Sequence, residues 1–308
     1  MSHGGAPRGW LEFSASLNPC GTPVAVREAI AKATYGAYAD LDAAAAEAHL
    51  ATDAGVPADR VLLTSGASEG IRLFRRAFVR QGDVATIADP TYGEYVREIA
   101  LAGATVGNAG TVGFICDPNN PTGTQLSAEE LRAAVRERLC LVDQSFVPFG
   151  RPTAAALELS EHAVLVRSLT KVLALPGVRL GYLIASPERI AALRERQLPW
   201  SVGAHAIAAA SAATFSISES DAKHVTEWRM RLAKGLRERG LEPRESVVNF
   251  VLARTPLAAD ELARRLATQR IAVRACASFG LPDHVRIAVR PPEEQDLLFS
   301  ALDRALLP

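Results

Sequence analysis

The side chains of this chain best suited to chemistry are a lysine and a carboxylate that follow two apolar runs typical of β-strands. Lys171 comes shortly after the run 163–166 and precedes four apolar residues, where lost hydration would lower the pKa of an amine and free a nucleophile. Asp143 ends the preceding run, 139–142. The 34 basic residues comprise 30 arginines and only four lysines. The other three lysines lie in amphipathic helical stretches typical of a solvated surface: Lys32, Lys223 and Lys234.

Polar or small residues also follow three other predicted strands. The run 61–64 leads into a turn of small residues, 84–88 leads to an aromatic residue, and 112–116 leads to an amide. The residues concerned are Gly66, Ala67, Ser68, Tyr92 and Asn120. Ligands of open α/β sheets bind beyond the carboxyl ends of the strands, and a small-residue turn that opens a helix is an anion site. A lysine able to form a Schiff base, with an acid one strand away, is the pair that pyridoxal phosphate uses.

The small-residue turn also supports an interpretation in another class of enzyme. Residues 66–70 match the pattern G-x-S-x-G between a strand and a helix, which is the setting of the α/β-hydrolase nucleophile elbow. Ser68 is then the nucleophile, Asp143 the acid, and the base is one of four histidines: His162, His205, His224 or His284. The pattern is common by chance, and this interpretation leaves Lys171, Asn120 and Tyr92 without roles. The fingerprints of nicotinamide and nucleoside-triphosphate sites are absent.

The elements that must position these residues alternate between strands and helices from about residue 60 to residue 186. This rhythm predicts an α/β fold with a mostly parallel sheet flanked by helices. Ser127 and Glu130 predict a capping box at the start of one helix. After about residue 205 the pattern changes to long helices and short strands. We therefore expect a large α/β domain at 30–205 and a smaller α+β domain formed by 1–29 and 206–308.

The composition argues against several classes of function. The 308-residue chain has 34 basic and 34 acidic residues, so nothing predicts binding to nucleic acid or to an anionic membrane. No apolar run approaches the ~20 residues that span a bilayer, and residues 1–10 lack the apolar centre of a secretory signal. The four cysteines have neither metal-type nor disulfide-framework spacing: Cys20, Cys116, Cys140 and Cys276. We expect a cytoplasmic protein without a metal site.

The ordered motifs resemble the fold-type-I pyridoxal-phosphate enzymes, in the branch of class I/II aminotransferases that contains histidinol-phosphate aminotransferases and L-threonine-O-3-phosphate decarboxylases. The resemblance runs from about Phe13 to Leu306 and rests on the segments Asn-Asn-Pro-Thr-Gly, Ser-Leu-Thr-Lys and Pro-Gly-Val-Arg-Leu-Gly-Tyr. It implies a three-layer α/β fold, pyridoxal 5'-phosphate as cofactor and a homodimer. It also implies that Lys171 is both the Schiff-base lysine and the proton-transfer group.

The resemblance assigns roles to individual residues. Asn120 matches the amide that binds the cofactor's phenolic oxygen, Asp143 the acid at the pyridine nitrogen, and Tyr92 the aromatic that stacks on the ring. The matches for the phosphate cradle are Gly66, Ala67, Ser68, Ser168, Arg179 and, reaching the neighbouring subunit's cofactor, Tyr38. Arg286 matches the arginine that grips the substrate carboxylate, a task suited to guanidinium. The further substrate-binding candidates are Asn18, Arg274 and Arg290.

Within the branch, segments 13–21 and 273–281 look closer to the decarboxylases than to the aminotransferases. We therefore expect an enzyme that acts on a small amino acid or amino-acid phosphate, most like the decarboxylase, with transamination as the alternative. Three residues depart from the usual pattern and point to a substrate outside the standard pair: Asp117, Phe146 and Gly203. A non-catalytic ligand sensor is a third possibility, disfavoured because Lys171 is present and no appended DNA-binding segment is recognisable.

Overall fold

The computed structural model describes residues 4–36, 38 and 43–307. Within these residues the strands are β1 (Leu11–Glu12), β2 (Val61–Thr64), β3 (Val84–Ile87), β4 (Thr105–Val106), β5 (Val112–Cys116), β6 (Leu139–Asp143), β7 (Ala163–Ser168), β8 (Gly181–Ile184), β9 (Glu242–Pro243), β10 (Phe250–Arg254), β11 (Ile271–Ala272), β12 (Arg274–Ala275) and β13 (His284–Ala288). The α-helices are α1 (Val24–Ala31), α2 (Ala44–Ala54), α3 (Ala67–Phe78), α4 (Glu94–Leu101), α5 (Ala128–Glu137), α6 (Ala156–Ser160), α7 (Leu169–Val172), α8 (Pro187–Arg194), α9 (Ala204–Ala210), α10 (Glu219–Arg237), α11 (Ala259–Ala267) and α12 (Pro292–Ala305). Each of the five apolar runs named above is a strand, with ends within two residues of the prediction.

Seven strands form one sheet in the order β2-β8-β7-β6-β5-β3-β4. From β4 to β7 neighbouring strands are parallel, whereas β8 is antiparallel to both β2 and β7. Strand β7 is buried along its whole length, as expected of a central strand that has helices on both faces. The predicted α/β fold with a mostly parallel sheet is confirmed. The predicted capping box is also present, because Ser127 and Glu130 cap α5 reciprocally.

Strand β8 starts at the edge of the sheet where β7 ends, since Gly181 pairs with Ser168. The connection between them also stays at this edge, because Thr170 donates its backbone N–H to the carbonyl oxygen of Leu180 at 3.2 Å. Both Lys171, within α7, and Arg179, just before β8, stay at the carboxyl edge as a result.

The C-terminal elements build a second, antiparallel sheet in the order β12-β13-β10-β9. Its apolar residues pack with α10, α11 and α12 into a separate hydrophobic cluster that includes Phe13 of the N-terminal segment. The N-terminal segment also joins these elements by hydrogen bonds, since β1 pairs in parallel with β11. The division into domains at 30–205 and at 1–29 with 206–308 stays a prediction.

Among residues 4–36, 38 and 43–307, no helix combines the length and the apolar character needed to cross a bilayer.

Candidate active site

A cavity of about 410 Å³ opens at the carboxyl edge of the seven-stranded sheet. This volume lies in the range of about 300–1,000 Å³ that is typical of small-molecule sites. Its lining includes ten of the residues singled out in the sequence: Ala67, Ser68, Tyr92, Asn120, Asp143, Ser168, Lys171, Arg179, Arg274 and Arg286. The fold thus brings a lysine, a carboxylate, an amide, an aromatic ring and three arginines from distant segments to one place.

Lys171 lies in α7, one turn beyond the end of β7, and its side chain faces this cavity. Loss of hydration lowers the pKa of Lys171 from its ordinary 10.5 to about 8, and the positive charges of Arg286 and Arg179 add to this effect. The amine therefore releases its proton far more readily than a surface lysine does. This agrees with the behaviour expected from the apolar residues that follow it.

Asp143, the last residue of β6, has both carboxylate oxygens hydrogen-bonded. Tyr95 donates its hydroxyl to Oδ2 at 2.8 Å, and Ser145 donates its hydroxyl and its backbone N–H to Oδ1 at 2.5 and 2.9 Å. Burial raises the pKa of Asp143, and the bonds from Ser145 and Tyr95 oppose that rise. Neither supporting residue was identified from the sequence. The signal for Tyr95 is its place three residues after Tyr92, on the buried face of α4.

The first turn of α3 forms a concave wall with Arg179. Gly66 caps this helix with a φ of +78°, and a Cβ atom there would lie 2.8 Å from Nη2 of Arg179. The positive φ favours glycine, and the missing Cβ atom leaves room for the guanidinium of Arg179 against the turn. Ala67 and Ser68 follow in the first turn and line the cavity, where free backbone N–H groups and the helix dipole favour an anion. Gly66 itself is not among the described lining residues.

Two arginines enter the cavity from the C-terminal sheet. Arg274 of β12 and Arg286 of β13 are directly opposite each other in the antiparallel register. Arg286 donates to Oδ1 of Asn120 and, at 3.0 Å, to the carbonyl oxygen of Ser14, while its Nε atom is buried with no hydrogen-bond partner. Burial lowers the pKa of Arg286 to about 10. Arg274 donates to the hydroxyl of Ser278 at 2.8 Å.

Besides Gly66, three predicted site residues lie outside the described cavity lining. Asn18 is buried behind Lys171, where its backbone N–H and its Nδ2 atom donate to the carbonyl oxygens of residues 171 and 172 at 2.9 and 3.1 Å. Tyr38 is 82% exposed and stacks on Trp200 with ring centroids 4.7 Å apart. Arg290 forms an ion pair with Glu294. Asn18 thus supports the backbone of α7, and the structure does not bring Tyr38 or Arg290 into this cavity.

The hydrolase interpretation finds no support in this arrangement. Ser68 lines the cavity, but no histidine is among the described residues that do so. A serine nucleophile needs a base within hydrogen-bond reach. The described lining offers Lys171 and carboxylates instead.

The three residues that depart from the family pattern have different surroundings. Phe146 lines the cavity and packs edge-on against Phe250, with centroids 5.1 Å apart. Asp117 is only 1% exposed; its Oδ1 atom accepts from the backbone N–H of Leu126 at 2.7 Å, and its Oδ2 atom is buried without a partner. Loss of hydration raises the pKa of Asp117 to about 6. Gly203 precedes α9 with open space where a Cβ atom would be.

Comparison with known proteins identifies clear relatives of this chain. The family described as aminotransferase class I and II matches residues 8–111 and 107–302. A histidinol-phosphate aminotransferase of Symbiobacterium thermophilum is 32% identical over 96% of this chain and 90% of its own length. A threonine-phosphate decarboxylase of Salmonella typhimurium is 31% identical over 98% of this chain and 92% of its own length.

The fold is also found among solved structures. The histidinol-phosphate aminotransferase from Sinorhizobium meliloti, solved in complex with pyridoxal-5'-phosphate, superimposes with a TM-score of 0.87 at 20% identity. The match covers 95% of this chain and 89% of that chain. It supports the same three-layer α/β fold that the sheet order and the flanking helices define.

Proposed function

Because the chain belongs to the class I and II aminotransferase family, it is a pyridoxal-phosphate enzyme, and we propose that it acts on a small amino-acid phosphate. The main support for this substrate class is the pair of arginines Arg274 and Arg286. Two guanidinium groups opposite each other across neighbouring strands suit a substrate that has two anionic groups. An amino-acid phosphate has a carboxylate and a phosphate.

The residues around the cavity fit the cofactor. Lys171 would hold its aldehyde carbon, Asp143 its ring nitrogen, and the turn at Ala67 and Ser68 with Arg179 its phosphate. The chemistry that pyridoxal phosphate supplies when bound is an aldehyde that condenses with amines and a ring that withdraws electrons from the substrate. The glycine at 66, which leaves room for Arg179, is what a phosphate cradle at this turn requires.

The side chains around the cavity would then have separate roles in the reaction. With a pKa of about 8, roughly a tenth of the Lys171 amine is unprotonated at pH 7, against fewer than one in a thousand for an ordinary lysine. Lys171 is thus able to take up or release a proton at Nζ close to neutral pH. Arg286 orients the substrate carboxylate, and this orientation decides whether the carboxylate or the α-hydrogen is the group lost.

Of the two reactions, we place decarboxylation first, as in the Salmonella typhimurium relative. Histidinol phosphate has a phosphate but no carboxylate, so it would engage only one of the two arginines. Transamination of histidinol phosphate is the second candidate, because the Symbiobacterium thermophilum relative is equally similar and a dicarboxylate co-substrate would also engage both arginines.

Product analysis distinguishes these reactions. The holoenzyme is incubated with L-threonine-O-3-phosphate, or with histidinol phosphate and 2-oxoglutarate, and carbon dioxide and glutamate are measured. We expect carbon dioxide from the first mixture, its loss in Lys171→Ala, and its retention in Lys234→Ala, which removes an exposed lysine. Glutamate from the second mixture without carbon dioxide from the first would favour the aminotransferase, and no product from either would refute this substrate class.

We also propose a homodimer in which Tyr38 reaches the neighbouring site. Tyr38 and Trp200, which stack on each other, are both exposed, as are the large side chains of Tyr35 and Leu198. Mixed dimers of Lys171→Ala and Tyr38→Ala chains test this, because one of the two sites then has neither substitution. Activity should reappear on mixing two impaired variants, and its failure to reappear would contradict the shared site. The cytoplasmic location expected from the sequence stays a prediction.

A further inference from the structure

A second cavity, of about 890 Å³, is lined in part by Gly123, three residues beyond Asn120 in the sequence. Its walls are the loop at 123–125, the turn at 149–151, one face of α10 and the segment 244–247. It shares no described lining residue with the first cavity. Gly123 links the segment of Asn120 to the segment 244–247 by two backbone hydrogen bonds. Its N–H donates to the carbonyl oxygen of Asn119 at 2.8 Å, and its carbonyl oxygen accepts from the N–H of Val247 at 3.0 Å.

Four arginines line this second cavity: Arg151, Arg229, Arg237 and Arg244. Two of them come from α10, where Thr226, Met230, Ala233 and Arg237 also form one helical stripe along the cavity wall. Of the other two, Arg151 lies about 80 residues before α10's arginines in the sequence, and Arg244 lies within about 15 residues after them. The fold, and not a local run of basic residues, therefore gathers these charges.

The four guanidinium groups are not neutralised by carboxylates. Within the described residues none of the four forms an ion pair; Arg229 donates to the carbonyl of Val248 and Arg244 to Nε2 of His284, each at 3.2 Å. Elsewhere arginines commonly pair with acids, as Arg265 does with Glu261 at 2.7 Å. The lining includes a single described acidic residue, Glu245.

We propose that this cavity is a binding site for a small molecule with two or more phosphate or carboxylate groups. Four arginines and one glutamate leave a local charge of +3 in a chain whose net charge is zero. A concave surface that carries charges of one sign focuses its electric field on a ligand of the opposite charge. Guanidinium groups also bind two oxygens of a phosphate or carboxylate at once. The volume is near the upper end of the range for small-molecule sites, which leaves room for a ligand larger than a single phosphate.

Calorimetric titration of the holoenzyme with inorganic tripolyphosphate tests this proposal. The variant Arg151→Gln with Arg237→Gln removes two exposed charges of the cavity, and Arg80→Gln with Arg136→Gln removes two exposed charges elsewhere. We expect wild-type protein to bind tripolyphosphate at least tenfold more tightly than orthophosphate. The cavity variant should weaken tripolyphosphate binding at least tenfold, which is about 1.4 kcal/mol, while the control variant changes it less than twofold.

Three results would overturn the proposal. These are no binding by the wild-type protein, equal weakening in the cavity and control variants, and binding that Arg286→Gln abolishes while the cavity variant retains it. The last result would place the anion in the first cavity instead. Each single variant, Arg151→Gln and Arg237→Gln, is titrated as well, so that a folding defect in the double variant, seen by circular dichroism, leaves the comparison intact.

Discussion

Replacing Asp117 with asparagine should stabilise the protein, and the gain should grow with pH. Asp117 is 1% exposed, and loss of hydration raises the pKa of its carboxyl from 3.8 to about 6. A folded-state pKa above the unfolded value means that the stabilising contribution is fully present below about pH 4 and is lost as pH rises through 6. The difference of about 2 pKa units at 1.36 kcal/mol each amounts to roughly 3 kcal/mol.

Urea unfolding of wild type and Asp117→Asn from pH 4 to pH 8 measures this effect. The free energy of unfolding of the variant, relative to wild type, should rise by up to about 3 kcal/mol between pH 4 and pH 7.5. Asp59→Asn, which removes the same charge from an exposed position, is the matched control. A difference between wild type and Asp117→Asn that is the same at every pH would refute the reasoning.

Three further substitutions test the cavity. Gly66→Ala should cost about 1–3 kcal/mol of stability and weaken cofactor binding at least tenfold, because the new Cβ atom displaces Arg179; Gly177→Ala, where the added atom meets open space, should do neither. Tyr95→Phe removes a hydrogen bond that lowers the pKa of Asp143, so the fall of cofactor affinity on the acid side of its pH profile should begin at a higher pH. A fluorescence titration in which the acid side of this profile does not move would contradict this. Arg286→Gln removes the largest charge effect that lowers the pKa of Lys171, so the pH profile of kcat should shift to higher pH. The KM for a carboxylate substrate should also rise tenfold or more, because the guanidinium that binds the carboxylate is lost.

The central sheet and most of the cavity were predictable because local patterns carry them. Each apolar run between 61 and 166 is long enough to be a buried strand, and the rule for open sheets then places the residues after those runs at one edge. Lys171, Asp143 and Asn120 meet around the cavity for this reason. Their roles toward the cofactor rest on the family resemblance and stay proposals.

The contacts that hold the site residues depend on faces and registers that the sequence does not specify. Tyr95 reaches Asp143 only because α4 turns its buried face toward the end of β6. The opposition of Arg274 and Arg286 depends on the antiparallel register of two short strands, and a one-residue slip would reverse the face of either side chain. The second cavity likewise depends on the fold, because its four arginines come from three separate segments of the chain.

The most direct test of the account uses the scarcity of lysine. Holoenzyme is treated with borohydride, digested, and mapped by mass spectrometry, so that the lysine attached to the cofactor is read from the modified peptide. The chain has only four lysines, and three of them are expected at the surface. The account predicts one modified peptide, containing Lys171. Modification of Lys32, Lys223 or Lys234 instead, or no stable adduct in a protein saturated with the cofactor, would contradict it.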